Sequence, residues 1–123
     1  MKTVLVVDDS ATMRKMVMAS LGPRYVYLQA GNGLEAIERL ALGGVDLIVL
    51  DLNMPDMHGL DFLRFLSAHE ALRCIPVIVL TTRGDDESRQ QALALGAVDY
   101  FQKPFAPTEL SGRANEVLKT VGT

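Results

Sequence analysis

Residues 47–51 read LIVLD, and residues 4–9 read VLVVDD. In each, four aliphatic residues run without a polar interruption and end directly on aspartate. Apolar runs of this length, with no alternation, mark strands covered on both faces, as in a parallel sheet between helices. Working outward, further strands read at 25–30 (YVYLQA), 77–80 (VIVL) and 98–101 (VDYF). The stretches between them carry helical patterns, predicting helices over 11–21, 33–42, 60–66, 85–95 and 107–121. Met13, Met16, Val17 and Leu21 form the apolar face of the first, with Ser10 as its N-cap. Leu34, Ile37 and Leu40 form that of the second. Gly22, Gly43-Gly44 and Gly96 stop three of the helices. Five strand-then-helix repeats predict an α/β, doubly wound sandwich. A flavodoxin-like (βα)5 arrangement, with a five-stranded parallel sheet in the order 2-1-3-4-5, is the leading expectation.

The rest of the composition agrees. A chain of 123 residues, 49% hydrophobic and 22% charged, suits a single domain over 1–123 with a real core. The net charge is −3 and no Lys/Arg run is present, which speaks against nucleic-acid binding. One cysteine, Cys74, has no partner for a disulfide and reads as a structural residue before the fourth strand. The apolar run at the start is four residues long, and no window approaches the ~20 apolar residues of a membrane span. A soluble, cytoplasmic protein without membrane insertion is expected.

Ligands of an open α/β sheet collect beyond the carboxyl ends of its strands. Asp8-Asp9 follow the first strand, Asp51 the third, Thr81-Thr82 the fourth and Lys103-Pro104 the fifth. The second strand, followed by Gly31-Asn32-Gly33, brings no charge. In the expected order these charged ends converge on one mouth. Three carboxylates about 4–6 Å apart repel by roughly 3–4 kcal/mol per pair at an intermediate dielectric. A hard divalent cation that prefers oxygen ligands offsets this best. With a lysine and a hydroxyl at the same level, the set suits a phosphoryl group, one carboxylate acting as nucleophile. Each residue alone has a plainer reading: aspartates as helix caps, Asp51 as turn chemistry before Pro55, Thr81 as a strand end, Lys103 as a solvated side chain. All of them falling after the central strands by chance is improbable. His58 and His69 have no second metal ligand at a suitable spacing and read as exposed.

These residues resemble the response-regulator receiver domain: Asp8-Asp9, Asp51 with Leu52-Asn53-Met54-Pro55-Asp56-Met57-His58-Gly59 behind it, Thr81, and Lys103-Pro104-Phe105. Within that family the chain looks most like the stand-alone, CheY-like chemotaxis regulators. The resemblance implies that Asp51 accepts a phosphoryl group from a sensor histidine kinase, a phosphotransfer protein or acetyl phosphate. It implies Mg2+ held by Asp9, Asp51 and the backbone carbonyl of Asn53, with Asp8 acting through water. Thr81 and Lys103 would bind the phosphoryl oxygens, and Tyr100 would be the switch aromatic. Lys103-Pro104 is commonly cis in the family. Output would pass to a protein partner through the fourth helix, fifth strand and fifth helix, the chain being a monomer or weak dimer. Such a protein is a switch and not an enzyme, catalysing only its own phosphorylation and dephosphorylation.

Two positions bordering the site vary within the family: Asn53, and Arg83, which is expected to lie over the phosphoryl group and prolong its life. Thr82 is bulkier than the alanine often found there. An aspartyl-phosphate phosphatase of the haloacid-dehalogenase kind would want a second Asp where Asn53 stands, and a flavodoxin would want a Ser/Thr/Gly-rich loop where DDSATMR stands. The remaining alternative is an unphosphorylated pseudo-receiver, a constitutive binding module.

Overall fold

Ten elements alternate in the computed structural model, which describes residues 1–82 and 84–120. They are β1 Thr3–Val7, α1 Ala11–Leu21, β2 Val26–Ala30, α2 Gly33–Ala41, β3 Leu47–Leu50, α3 Gly59–Ala68, β4 Val77–Thr81, α4 Asp86–Ala94, β5 Asp99–Gln102 and α5 Pro107–Thr120. The sheet runs β2-β1-β3-β4-β5, and every neighbouring pair is parallel. The expected order therefore holds.

The reason lies in the two-residue period of a strand. Leu5, Val7, Ile48, Leu50, Val77 and Val79 face one side, where Ala36, Phe62, Leu63 and Ala92 cover them. Val4, Val6, Leu47, Val49, Ile78 and Leu80 face the other, under Val17, Leu21, Leu110 and Ala114. Helices α2, α3 and α4 thus lie on one face, and α1 and α5 on the other. Both faces of the three central strands are dry, which is why their sequences do not alternate.

Several boundaries differ from the sequence reading. Helix α3 starts at Gly59 and runs to Ala68, longer at both ends than 60–66. Strand β5 begins at Asp99, while Val98 precedes it and is exposed. Leu34 is 61% exposed, so the inward side of α2 is Ala36, Ile37 and Leu40 instead. Met16 also faces outward; Val17 and Leu21 carry the packing of α1. Cys74 is exposed, not a packed small residue. Val121 and Arg83 lie outside the described residues, so the reading of Arg83 is not addressed. Among the described residues no helix is long and apolar enough to cross a membrane.

The caps are local and legible. Ser10 Oγ accepts from Met13 N–H, Asn32 Oδ1 from Glu35 N–H, and Asp85 Oδ2 from Ser88 N–H. One cap is not local. The Asp56 carboxylate, on the loop after β3, accepts the N–H groups of Gly33 (2.9 Å) and Leu34 (3.0 Å) at the start of α2. A carboxylate at a helix N-terminus is stabilised by the free N–H groups and the dipole there. The Gly33 N–H accordingly holds the Asp56 carboxyl below its ordinary range.

Gly59 closes the same loop, its N–H donating to the Leu52 carbonyl at 2.9 Å. A Cβ built there would stand 2.5 Å from Leu52 Cα and 3.2 Å from the Asp51 carbonyl oxygen. Backbone atoms cannot give way as a flexible side chain can. We expect Gly59→Ala to cost about 3 kcal/mol through overpacking, more than the ~1 kcal/mol that Ala gains over Gly in a helix. A lowered urea midpoint at unchanged m-value would show it.

Candidate functional site

The register brings the strand ends level. Ala30, Val7, Leu50, Val79 and Tyr100 pair in one line across the sheet. Beyond that line the backbone continues the ladder: Asp8 N–H donates to Ala30, Asp51 N–H to Val7, and Lys103 N–H to Thr81. Every expected charged residue therefore leaves its strand on the same edge.

The structure brings together Asp8, Asp9, Asp51 and Lys103. Carboxylate oxygens of the three aspartates lie within 4.8 Å of one another. Asp8 and Asp51 are 4% and 5% exposed, whereas Asp9 faces solvent. Lys103 Nζ stands 2.7 Å from Asp8 Oδ2 and 3.4 Å from Asp51 Oδ2, with its side chain 10% exposed. Backbone donors complete the set: Ser10 N–H to Asp8 Oδ1 at 2.9 Å, and Asn53 N–H to Asp51 Oδ1 at 3.2 Å. Three carboxylates against one ammonium leave the cluster two charges negative. Oxygen donors, excess negative charge and one open side are what a hard divalent cation requires.

Asn53 lies on the edge of this cluster, beside a surface cleft of about 470 Å³ that Asp9, Asp56 and His58 also line. Its side-chain amide donates to the Thr82 hydroxyl at 3.1 Å, joining the loops after β3 and β4. Thr81 is fully buried at the end of β4. Tyr100 is 9% exposed and packs into the core on the α2–α4 face. The Lys103–Pro104 peptide is cis, as expected.

His58 departs from expectation. It is half-buried, and its Nδ1 accepts from Leu60 N–H as the N-cap of α3. His69 is exposed, as expected. Sequence reasoning also missed three contacts. Asp56 clasps α2, Thr82 meets Asn53, and Arg14 reaches back from α1 to the Asp8 carbonyl. For Arg14 a signal existed: it stands in the first turn of the helix that follows the aspartate pair. The contact that steadies it, with Gln29 on β2, joins residues far apart in sequence.

Burial pushes the Asp8 carboxyl above its ordinary value, against the opposing hydrogen bonds from Lys103 and Ser10. A raised folded-state pKa contributes stability below the unfolded value of about 3.9, lost as pH rises through the folded one. At neutral pH the buried Asp8 carboxyl therefore costs stability relative to acid pH. We expect Asp8→Asn to raise the thermal midpoint at pH 7 in the presence of a chelator. The difference from the parent should close below about pH 4. Melting curves over that range would test the sign.

Comparison with known proteins agrees with this geometry. The profile of the response regulator receiver domain matches residues 4–115. The chemotaxis protein CheY1 of Helicobacter pylori is 39% identical over 121 residues, covering 95% of this chain and 97% of that protein. The phosphate regulon transcriptional regulatory protein PhoB of Pseudomonas aeruginosa is 38% identical over 122 residues. That match covers 98% of this chain but 53% of PhoB, so the chain spans about half the length of this relative. Among solved structures, the chemotaxis response regulator CheY4 of Vibrio cholerae superposes with a TM-score of 0.86 at 34% identity, covering 95% of this chain and 98% of that one. The manganese-bound response regulator Rcp1 gives 0.85 at 27% identity, covering 98% and 97%. With the acidic cluster, the sheet order and the matched span in agreement, the chain belongs to the response regulator receiver domain family of two-component signalling.

Proposed function

We propose that Asp51 is the phosphoacceptor of a two-component switch and that residues 1–123 act as one receiver domain. The observation that carries this reading is the position of the Asp51 carboxylate, buried 3.4 Å from the Lys103 ammonium and within 4.8 Å of the Asp8 and Asp9 carboxylates. A carboxylate oxygen of Asp51 attacks phosphorus, forming an O–P bond as the bond to the donor's imidazole nitrogen breaks. The donor is a sensor histidine kinase or a phosphotransfer protein, with acetyl phosphate as a small substitute. Asp8, Asp9, Asp51 and the main-chain carbonyl of Asn53 would hold Mg2+, which when bound neutralises the charge gathered on the phosphoryl oxygens. The donor set fits such an ion, and the similarity to manganese-bound Rcp1 supports it.

Lys103 is engaged by Asp8 at rest. Phosphorylation adds roughly −1.5 to −2 charges and three strong acceptors, and Lys103 and Thr81 turn towards them. Movement of Thr81 vacates core space that Tyr100 shares, biasing the surface of α4, β5 and α5 between two packings. Such coupling is commonly about 1–3 kcal/mol, a 5- to 150-fold change in a partner's affinity. The partner is a protein, and the reaction is cytoplasmic. A chemotaxis role draws support from the near full-length match to CheY1.

Intact mass after incubation with Mg2+ and acetyl phosphate should rise by one phosphoryl group. The gain should vanish with chelator and in Asp51→Asn. No gain in the parent would overturn the reading in favour of a constitutive binding module. Thr81→Ala should still be phosphorylated but lose the accompanying change in amide exchange over α4 and β5.

A further inference from the structure

We infer that Arg14 is a positioning residue for the acidic site, holding the Asp8-Asp9 segment in the shape that receives a divalent cation. This rests on the metal reading above. Arg14 Nη1 donates to the main-chain carbonyl of Asp8 at 2.6 Å, and its Nε donates to Gln29 Oε1 at 3.0 Å. That carbonyl belongs to the peptide joining Asp8 to Asp9, so the bond acts on both carboxylates at once.

The anchor is itself fixed. Gln29 pairs with Val6 in the β1–β2 ladder, and Asp8 N–H donates to Ala30 at 3.0 Å. Asp8 is thus pinned through its N–H by the backbone of β2 and through its carbonyl by a guanidinium that the same strand orients. A Cβ at Gly31 would stand 3.5 Å from Arg14 Nη1 and 3.3 Å from Glu35 Oε1, which accepts the Gly31 N–H. Strand β2 carries no acidic ligand, yet through Gln29 and Ala30 it sets the geometry of the pair beside it.

Repulsion among the three carboxylates favours opening the turn after β1. Binding a cation in an opened turn must also supply the cost of closing it. A planar guanidinium with donors in fixed directions suits the task better than a flexible ammonium. Groups that orient ligands in this way typically change metal affinity 10- to 100-fold when removed.

The sign of the effect separates positioning from simple electrostatics. Removing a positive charge near a cation site tightens binding by Coulomb's law, whereas removing a positioning group weakens it. Mg2+ titration calorimetry on the full chain would measure the parent, Arg14→Ala, Arg14→Lys and Gln29→Leu. We expect Arg14→Ala to weaken Mg2+ binding about tenfold and Arg14→Lys to recover part of the loss. The phosphorylation rate of Arg14→Ala should return to the parent's at saturating Mg2+. An unchanged or tighter affinity in Arg14→Ala would overturn the proposal. Should that variant not fold, Gln29→Leu decides, because it keeps the charge and releases the guanidinium; an unchanged affinity there overturns the proposal equally. A parent that binds no Mg2+ would overturn the metal reading and this inference with it.

Discussion

Mutual repulsion among Asp8, Asp9 and Asp51 is the constraint around which the rest of the structure is arranged. Two of these carboxylates are buried, and among the described residues Lys103 is the cation that forms ion pairs with them. A hydrophobic sandwich has to hold them there, and it does so with three central strands that are dry on both faces. The stability of those strands is what permits an unfavourable charge arrangement at their ends. Sites of this sort keep strain that the scaffold offsets. Lys103 limits the cost by standing within reach of both buried carboxylates.

Most of the fold was legible because its signal is periodic. Unbroken apolar runs at 4–7, 47–50 and 77–80 announce central parallel strands, and glycines announce helix ends. The acidic site was legible for a related reason: strand ends in a parallel sheet share one edge, so residues just past the apolar runs must meet. What was not legible depends on contacts between distant segments. The Asp56 clasp spans 22 and 23 residues, and Arg14 meets Gln29 across 15. Leu34 was misjudged because a first-turn leucine fits the helical period while the loop carrying Asp56 holds its turn at the surface. His58 was read as exposed because a histidine cap has no strong sequence signature.

The loop after β3 shows how such distant contacts divide labour. Asn53 faces the acidic cluster with its N–H and Thr82 with its side chain. Asp56 turns away to α2, and His58 starts α3. The segment behind Asp51 is thus tied to the acidic cluster, the loop after β4, α2 and α3, so Asp51 sits on a braced platform and not on a free turn.

The level register has a consequence for scale. Adjacent strands in any sheet lie about 4.8 Å apart, and Asp8 and Asp51 leave adjacent strands at matched heights. Their oxygens, with those of Asp9, fall within 4.8 Å. The sheet therefore fixes how far apart the two backbone positions stand from which these side chains leave, independent of loop length or composition. Any sequence that keeps the strands in register inherits the same gauge. Loops and helix surfaces are left free to diversify, as in a relative 34% identical whose backbone still superposes with a TM-score of 0.86.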